Sequence, residues 1–171
     1  MTFVLPVSVH RTTPADPLAR PLLDELTYEY AHRYGSSEDL TRYPVEEFTP
    51  PHGGAFLLLL ERGRPVAGGA FRRYDDPGTV ELKRIWTHSE HRRRGLARRV
   101  LAELEREAAH RGHTRVFLTT GPRQPEAKGL YLAAGYRPLF DVTADPESIG
   151  PLPFEKHLCA TTHPDVETLT P

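Results

Sequence analysis

Apolar and polar positions change rhythm several times along this chain, and each change predicts an element. Phe3 to His10 alternate loosely with a period of two, the pattern of a first strand. From Pro17 to Tyr34 the spacing becomes helical: Leu22, Leu23, Leu26 and Tyr30 recur on one face. Asp16 or a neighbour is placed to cap that helix, and Pro17 or Pro21 is tolerated in its first turn. Gly35-Ser36-Ser37 ends it, and Glu38 to Tyr43 reads as a short second helix. Residues 44–54 hold three prolines and two glycines and read as a loop. Phe56 to Glu61 and Pro65 to Tyr74 then form a hairpin across Arg62-Gly63-Arg64, and Asp75 to Gly78 turn into an alternating run from Glu81 to His88.

The second half returns to helices between strands. From Leu96 to Arg111, Leu96, Val100, Leu101, Leu104 and Ala108 form a buried stripe, opposite the solvent-facing Arg98, Arg99, Glu103, Arg106 and Glu107. Gly112 supplies a left-handed cap. Val116-Phe117-Leu118 make a strand parallel to the Glu81 run through a right-handed crossover. A helix from Pro125 to Ala134 follows, then strands near Tyr136 to Phe140 and Phe154 to Cys159. Helices interleaved with strands, and hairpins on one side, predict a mixed α/β sheet.

The junction between the Glu81 strand and the Leu96 helix carries the chemistry. Its sequence is His91-Arg92-Arg93-Arg94-Gly95-Leu96-Ala97. The first N–H groups of a helix lack intrahelical partners and carry partial positive charge, so a helix start is a natural anion site. Gly95 removes the Cβ that would hold a pyrophosphate off the backbone, Ala97 is nearly as small, and the arginines add charge-assisted bonds to phosphate.

The pattern Arg92-x-x-Gly95-x-Ala97 resembles the acetyl-coenzyme A signature of the GNAT N-acetyltransferase superfamily. The resemblance runs from about Phe56 to Tyr136 and includes a second landmark, Ala127-x-x-Leu130-Tyr131-x-x-x-Gly135-Tyr136. It implies a mostly antiparallel mixed sheet in one domain, flanked by about four helices, in which two central parallel strands splay apart and hold the thioester in the gap. It also implies acetyl-CoA as co-substrate and direct transfer to an amine, without a covalent enzyme intermediate and without a metal. Glu81, eleven residues before Arg92, falls where the family's histone-acetylating members carry a glutamate base. A partly desolvated carboxylate there is expected to have its pKa raised toward neutrality and to take the amine proton directly or through water. The alternative is a strand carboxylate paired with Lys83, Arg72 or Arg73. Tyr131 matches the residue whose hydroxyl protonates the departing thiolate; its alternative is a core tyrosine at helical spacing with Leu130 and Ala134. A backbone N–H from Ile85, Trp86 or Thr87 is expected to hold the thioester carbonyl, with the same segment pairing to pantetheine. Arg92, Arg93, Arg94, Gly95, Leu96, Ala97 and Arg98 would wrap the pyrophosphate, the side chains of Arg93 and Arg94 turning to solvent or to the 3′-phosphate. Gln124 stands where the family often has asparagine.

Composition narrows the remaining classes. A net charge of -1 with 26% charged residues gives no overall call for nucleic acid or an anionic membrane. The five arginines between Arg92 and Arg99 lack an interleaved aromatic platform, which disfavours a nucleic-acid patch. His88-x-x-His91 and His110-x-x-His113 have no cysteine or carboxylate at a standard ligand spacing, so no metal is expected. Cys159 is the only cysteine; no intrachain disulfide can form, and a cytoplasmic location is expected. Pro6 breaks the apolar start, and Phe56 to Leu60 is too brief to cross a bilayer, so neither a signal peptide nor a span is expected. Residues 1–160 are expected to form the transferase domain and 161–171 a polar tail.

The acceptor is expected to be a small-molecule amine. Tyr28, Tyr30, His32, Tyr34, Tyr43, Glu46, Glu47 and Phe48, with Asp141, Asp145 and Glu147 opposite, would suit a small cationic amine, or stand as solvated surface. A protein amine, N-terminal or lysine, is the alternative within the enzyme class, and a non-catalytic acyl-CoA sensor the alternative outside it. A homodimer is compatible with the resemblance.

Overall fold

The computed structural model describes residues 5–159. Seven strands form one sheet in the order β1-β2-β3-β4-β5-β7-β6. They are β1 (Val7–Thr12), β2 (Ala55–Glu61), β3 (Arg64–Arg73), β4 (Thr79–Thr87), β5 (Arg115–Thr120), β6 (Arg137–Pro138) and β7 (Leu152–His157). Every neighbouring pair is antiparallel except β4 and β5. The helices are α1 (Arg20–Tyr34), α2 (Leu96–His110), α3 (Pro125–Ala133) and a four-residue α4 (Pro146–Ile149). The β2–β3 turn is Arg62-Gly63, both at positive φ, as a tight two-residue hairpin requires.

The sheet separates two cores. On one face, Leu57, Leu59, Phe71, Val80 and Leu82 pack against the predicted stripe of α2, all five residues of which are buried. Each such side chain contributes roughly 2 kcal/mol on burial. A 15-residue helix is marginal alone, so α2 is held by this packing. On the other face, Phe56, Leu58 and Trp86 meet α1 and Phe48. Only Leu22 and Leu26 of α1 are buried, a weaker anchorage than that of α2.

The elements depart from the sequence pattern where loops or caps decide. The Asp16 carboxylate accepts from Leu18 N–H at 2.9 Å, but it caps a 3₁₀ turn, Pro17–Ala19, that leads into α1. Glu38–Leu40 is likewise 3₁₀. The expected loop at 44–54 contains two more such turns, Val45–Phe48 and Pro50–His52, because Phe48 is fully buried and pins the segment to the core. The first strand starts at Val7; the expected positions Phe3 and Val4, and the tail from 161, lie outside the described residues.

Candidate active site

Strands β4 and β5 pair only at Thr79–Arg115, Val80–Val116 and Glu81–Phe117. Beyond Glu81 they part: β4 continues beside β3 to Thr87, and β5 continues beside β7 to Thr120. The outer edge of β4 from Leu82 to Thr87 therefore has no strand partner, and a cleft of about 1530 Å³ opens there. The splay implied by the resemblance is present, with Glu81 at its apex.

The cleft runs to the start of α2. Gly95 takes a left-handed φ of 73°, and no side chain caps the helix. The first helical bond returns from Arg99 N–H to Gly95 O at 3.2 Å, so the N–H groups of Leu96, Ala97 and Arg98 have no partner among the described residues. The short helical segments after Asp16 and Asp145 are capped by those carboxylates, whereas α2, like α1 and α3, starts without a side-chain cap. A Cβ on Gly95 would meet nothing within 4 Å, which leaves open space over these donors. Arg92, Arg93 and Arg98 line the same space. Arg94 does not: it pairs with Glu61 and meets His91 Nδ1 at 2.9 Å. Trp86, also lining the cleft, is 4% exposed, and its Nε1 has no hydrogen-bond partner among the described residues. Bare donors at a helix start, free cations and an unpaired strand edge suit a pyrophosphate joined to an amide-bearing arm, the chemistry of coenzyme A.

Tyr131 projects into this cleft from α3. Its ring packs on Tyr136 and Phe154, with centroids 5.7 and 5.6 Å away. Its hydroxyl has no hydrogen bond among the described residues. Burial pushes its pKa well above the ordinary tyrosine value, so the phenol stays protonated. Glu81 is 5% exposed, and its Oε1 meets Arg72 at 3.3 Å and Lys83 at 3.6 Å. Arg72 in turn pairs with Glu47 at 2.6 Å. Both readings of Glu81 are thus present in one geometry: a carboxylate at the apex of the cleft that also carries ion pairs.

Gln124 lines the cleft, but its Oε1 is engaged locally by Gly121 N–H at 3.2 Å and Tyr34 hydroxyl at 3.4 Å. It belongs to a clasp between α1 and the loop before α3. Arg33 donates to Arg123 O at 2.7 Å, and Arg123 donates to Arg33 O at 2.9 Å. Arg33 also meets Glu126 at 2.6 Å, and Arg123 meets Glu147 at 2.9 Å. This clasp reinforces the sparsely buried α1, which walls the acceptor side.

Of the expected acceptor-side residues, Tyr30, Tyr34, Tyr43, Phe48 and Glu147 line the cleft. Tyr28 is 73% exposed and lies off it, as do His32 and Glu46. Glu47 is held by Arg72, while Asp141 and Asp145 accept from their own turns. The sequence reading missed Arg33, Arg84 and Arg123. For Arg84 a signal existed. It falls in phase with Val80 and Leu82, so a regular strand would put its charge on their apolar face. The strand answers with a bulge: Arg84 and Ile85 together oppose Gly69, and Arg84 adopts a φ of 59°. The histidine pair also differs from expectation. The turn Ser89–His91 brings Glu90 to His88 and His91, their ligand atoms within 4.8 Å of one another. His88 Nδ1 already accepts from Glu90 N–H, however, and the Arg94 guanidinium sits against His91.

The buried phenols carry a stability prediction. Desolvation raises Tyr30 to about 12 and pushes Tyr131 and Tyr136 higher. The folded state thus favours the neutral phenol. That preference is intact below pH 10, the ordinary tyrosine value, and is lost as pH rises from there through the folded values. Thermal midpoints measured across alkaline pH should fall from about pH 10 upward, together with the appearance of tyrosinate absorbance. A flat midpoint beyond pH 11 would contradict this burial.

The comparisons with known proteins give the family and the fold. The sequence profile described as the Acetyltransferase (GNAT) family matches residues 22–136, and the chain belongs to that family. An uncharacterised N-acetyltransferase of Schizosaccharomyces pombe is 25% identical over 134 residues, covering 75% of this chain and 79% of the relative. One from Bacillus subtilis is 33% identical over 92 residues, covering 51% of this chain and 61% of the relative. Among solved structures, a GNAT-family acetyltransferase from Staphylococcus aureus aligns with a TM-score of 0.71 at 15% identity, covering 90% of this chain and all of that one. A Thermus thermophilus acetyltransferase gives 0.68 at 24% identity, covering 92% and 100%. One from Elizabethkingia anophelis, with acetyl-CoA bound, gives 0.63 at 15%, covering 89% and 98%. These likenesses show the fold. No helix among the described residues is long and apolar enough to cross a membrane.

Proposed function

We propose that this chain transfers an acetyl group from acetyl-CoA directly to a primary amine of a small molecule. The observation that carries the reading is the continuity of one cleft, from the bare N-terminus of α2, along the unpaired edge of β4, to the Tyr131 hydroxyl.

Leu96, Ala97 and Arg98 offer backbone N–H groups to the pyrophosphate, with Arg92 and Arg93 adding charge and Gly95 leaving the backbone bare. The edge of β4 at Ile85, Trp86 and Thr87 offers strand-like hydrogen bonds to the pantetheine arm. An N–H of this segment stabilises the thioester oxygen as it gains charge. The amine nitrogen forms a bond to the carbonyl carbon as the carbon–sulfur bond breaks. Glu81 takes the amine proton, directly or through water, at its Oε2, since the ion pairs use Oε1. Tyr131 gives its proton to the leaving thiolate. The walls formed by α1, the 3₁₀ turns and the Arg33–Arg123 clasp support a small acceptor.

The test combines coenzyme binding with turnover. Acetyl-CoA at a hundredfold its Kd adds ~2.7 kcal/mol to stability, which raises the thermal midpoint by roughly 5–10 °C in a domain this size. Free-thiol release against a panel of amines should then depend on one amine class. Glu81→Gln should cut kcat by about 100-fold with the KM for acetyl-CoA unchanged. Full turnover in that variant leaves Glu81 as the counter-ion of Arg72 and Lys83 only. Coenzyme binding without amine-dependent thiol release would overturn the reading.

A further inference from the structure

Arg84 stands apart from the other partly buried arginines. Arg33, Arg72, Arg111 and Arg115 each meet a carboxylate within 2.6–2.9 Å. Arg84 meets none within 4.0 Å among the described residues. Its guanidinium donates to the Leu40 carbonyl at 2.7 Å, and its carbon lies 4.4 Å from the Phe48 ring centroid. One of five N–H donors is thereby used and one flat face is covered. The others remain for whatever enters the cleft that Arg84 lines. The bulge that delivers it holds a side-chain-bearing residue at a left-handed φ of 59°, a conformation that concentrates at functional sites.

The surrounding charges are already matched. Glu29 and Glu126 pair with Arg33, Asp39 lies 4.0 Å from Arg42, Glu147 pairs with Arg123, and Glu81 takes both Arg72 and Lys83. Glu38, the remaining acidic residue of the wall, is exposed. A half-buried guanidinium without a counter-ion is therefore the dominant unmet demand on the acceptor side. Tyr30 and Tyr131 line the same cleft as Arg84.

We propose that Arg84, with Tyr30 of the same cleft, binds a carboxylate carried by the acceptor, so that the acceptor is an amino acid or a similar amino carboxylate. The planar fork of arginine matches a carboxylate in two parallel hydrogen bonds. One guanidinium balances one negative charge, which favours a carboxylate over a doubly charged phosphate in a half-buried site. Arg84 directly precedes Ile85, whose segment addresses the thioester in the transfer reading, so one small acceptor can reach both. The inference rests on the transfer reading above, but binding can test it separately.

Two measurements separate them. With coenzyme A present, N-acetyl α-amino acids should raise the thermal midpoint of the wild type, and the matching N-acetyl amino-acid amides should not. Arg84→Gln should abolish the shift, Tyr30→Phe should weaken it, and Arg62→Gln in the exposed β2–β3 turn should leave it intact. In turnover, the common α-amino acids and β-alanine should exceed their amides and decarboxylated amines by at least about 100-fold in kcat/KM, a ratio that Arg84→Gln removes mainly through KM. Amides that bind and react as well as acids, or an unchanged ratio in Arg84→Gln and Tyr30→Phe, would overturn the carboxylate site while leaving acetyl transfer in place. Arg84-dependent binding without any amine-stimulated thiol release would sustain the site and overturn the transfer reading.

Discussion

Replacing Tyr131 with phenylalanine should lower kcat by about 100-fold, equivalent to ~2.7 kcal/mol of barrier, with the coenzyme Kd and the thermal midpoint nearly unchanged. The substitution removes one oxygen and nothing else. The ring that remains keeps its contacts with Tyr136 and Phe154, and the lost hydroxyl had no hydrogen-bond partner among the described residues to abandon. A phenol that is buried, protonated and unpartnered at the rim of a cleft has little structural use for its oxygen. Its raised pKa keeps the proton in place through neutral and mildly alkaline pH. A leaving thiolate supplies the acceptor that the folded chain does not. The measurement is single-turnover acetyl transfer at saturating coenzyme, with the midpoint recorded in parallel. A variant that folds, binds coenzyme and turns over at the wild-type rate would confine Tyr131 to the core.

Where the periodicity of the chain coincided with its packing, the sequence was read well. The stripe of α2 is buried residue for residue, because an amphipathic helix on a sheet has only one face to bury. The turn Arg62-Gly63 and the crossover from β4 to β5 follow from turn chemistry and handedness, which are local. The helix start at Gly95 was legible for the same reason. Partners distant in sequence were not. Arg72 stands nine residues from Glu81 and 25 from Glu47, and no spacing rule brings those three together. Arg33 and Arg123 are 90 residues apart and exchange carbonyl bonds across the cleft. The acceptor wall is built from such pairs, so a list of its acidic and aromatic residues suggested a cationic substrate. Of those acids Glu47 and Glu147 are paired with arginines and Glu46, Asp141 and Asp145 lie off the cleft, which leaves Arg84 as the unmet charge.

The same long-range wiring makes Gly54→Ala the most damaging small substitution in the acceptor wall. A Cβ at Gly54 would lie 2.0 Å from the Glu47 carbonyl oxygen and 2.7 Å from the Phe48 Cα. Both are backbone atoms, which cannot swing aside as the tip of a side chain can. Gly63→Ala is the informative contrast: its φ is 75° and nothing lies within 4 Å, so it costs only about 1 kcal/mol of left-handed strain. Gly54→Ala must instead displace the turn Val45–Phe48, and overpacking of this kind costs about 3 kcal/mol. The thermal midpoint should fall by roughly 6–12 °C, against a few degrees for Gly63→Ala. The displaced turn carries Glu47, which holds Arg72 on Glu81, and Phe48, on which the Arg84 guanidinium rests. Gly54→Ala should therefore also weaken acceptor use at temperatures where it is still folded, raising the acceptor KM while leaving the coenzyme Kd alone, since the α2 start lies on a separate wall. Equal midpoints for the two glycine variants would show that the turn yields without cost. An unchanged acceptor KM would show that the Glu47–Arg72–Glu81 chain does not set the geometry of the acceptor side.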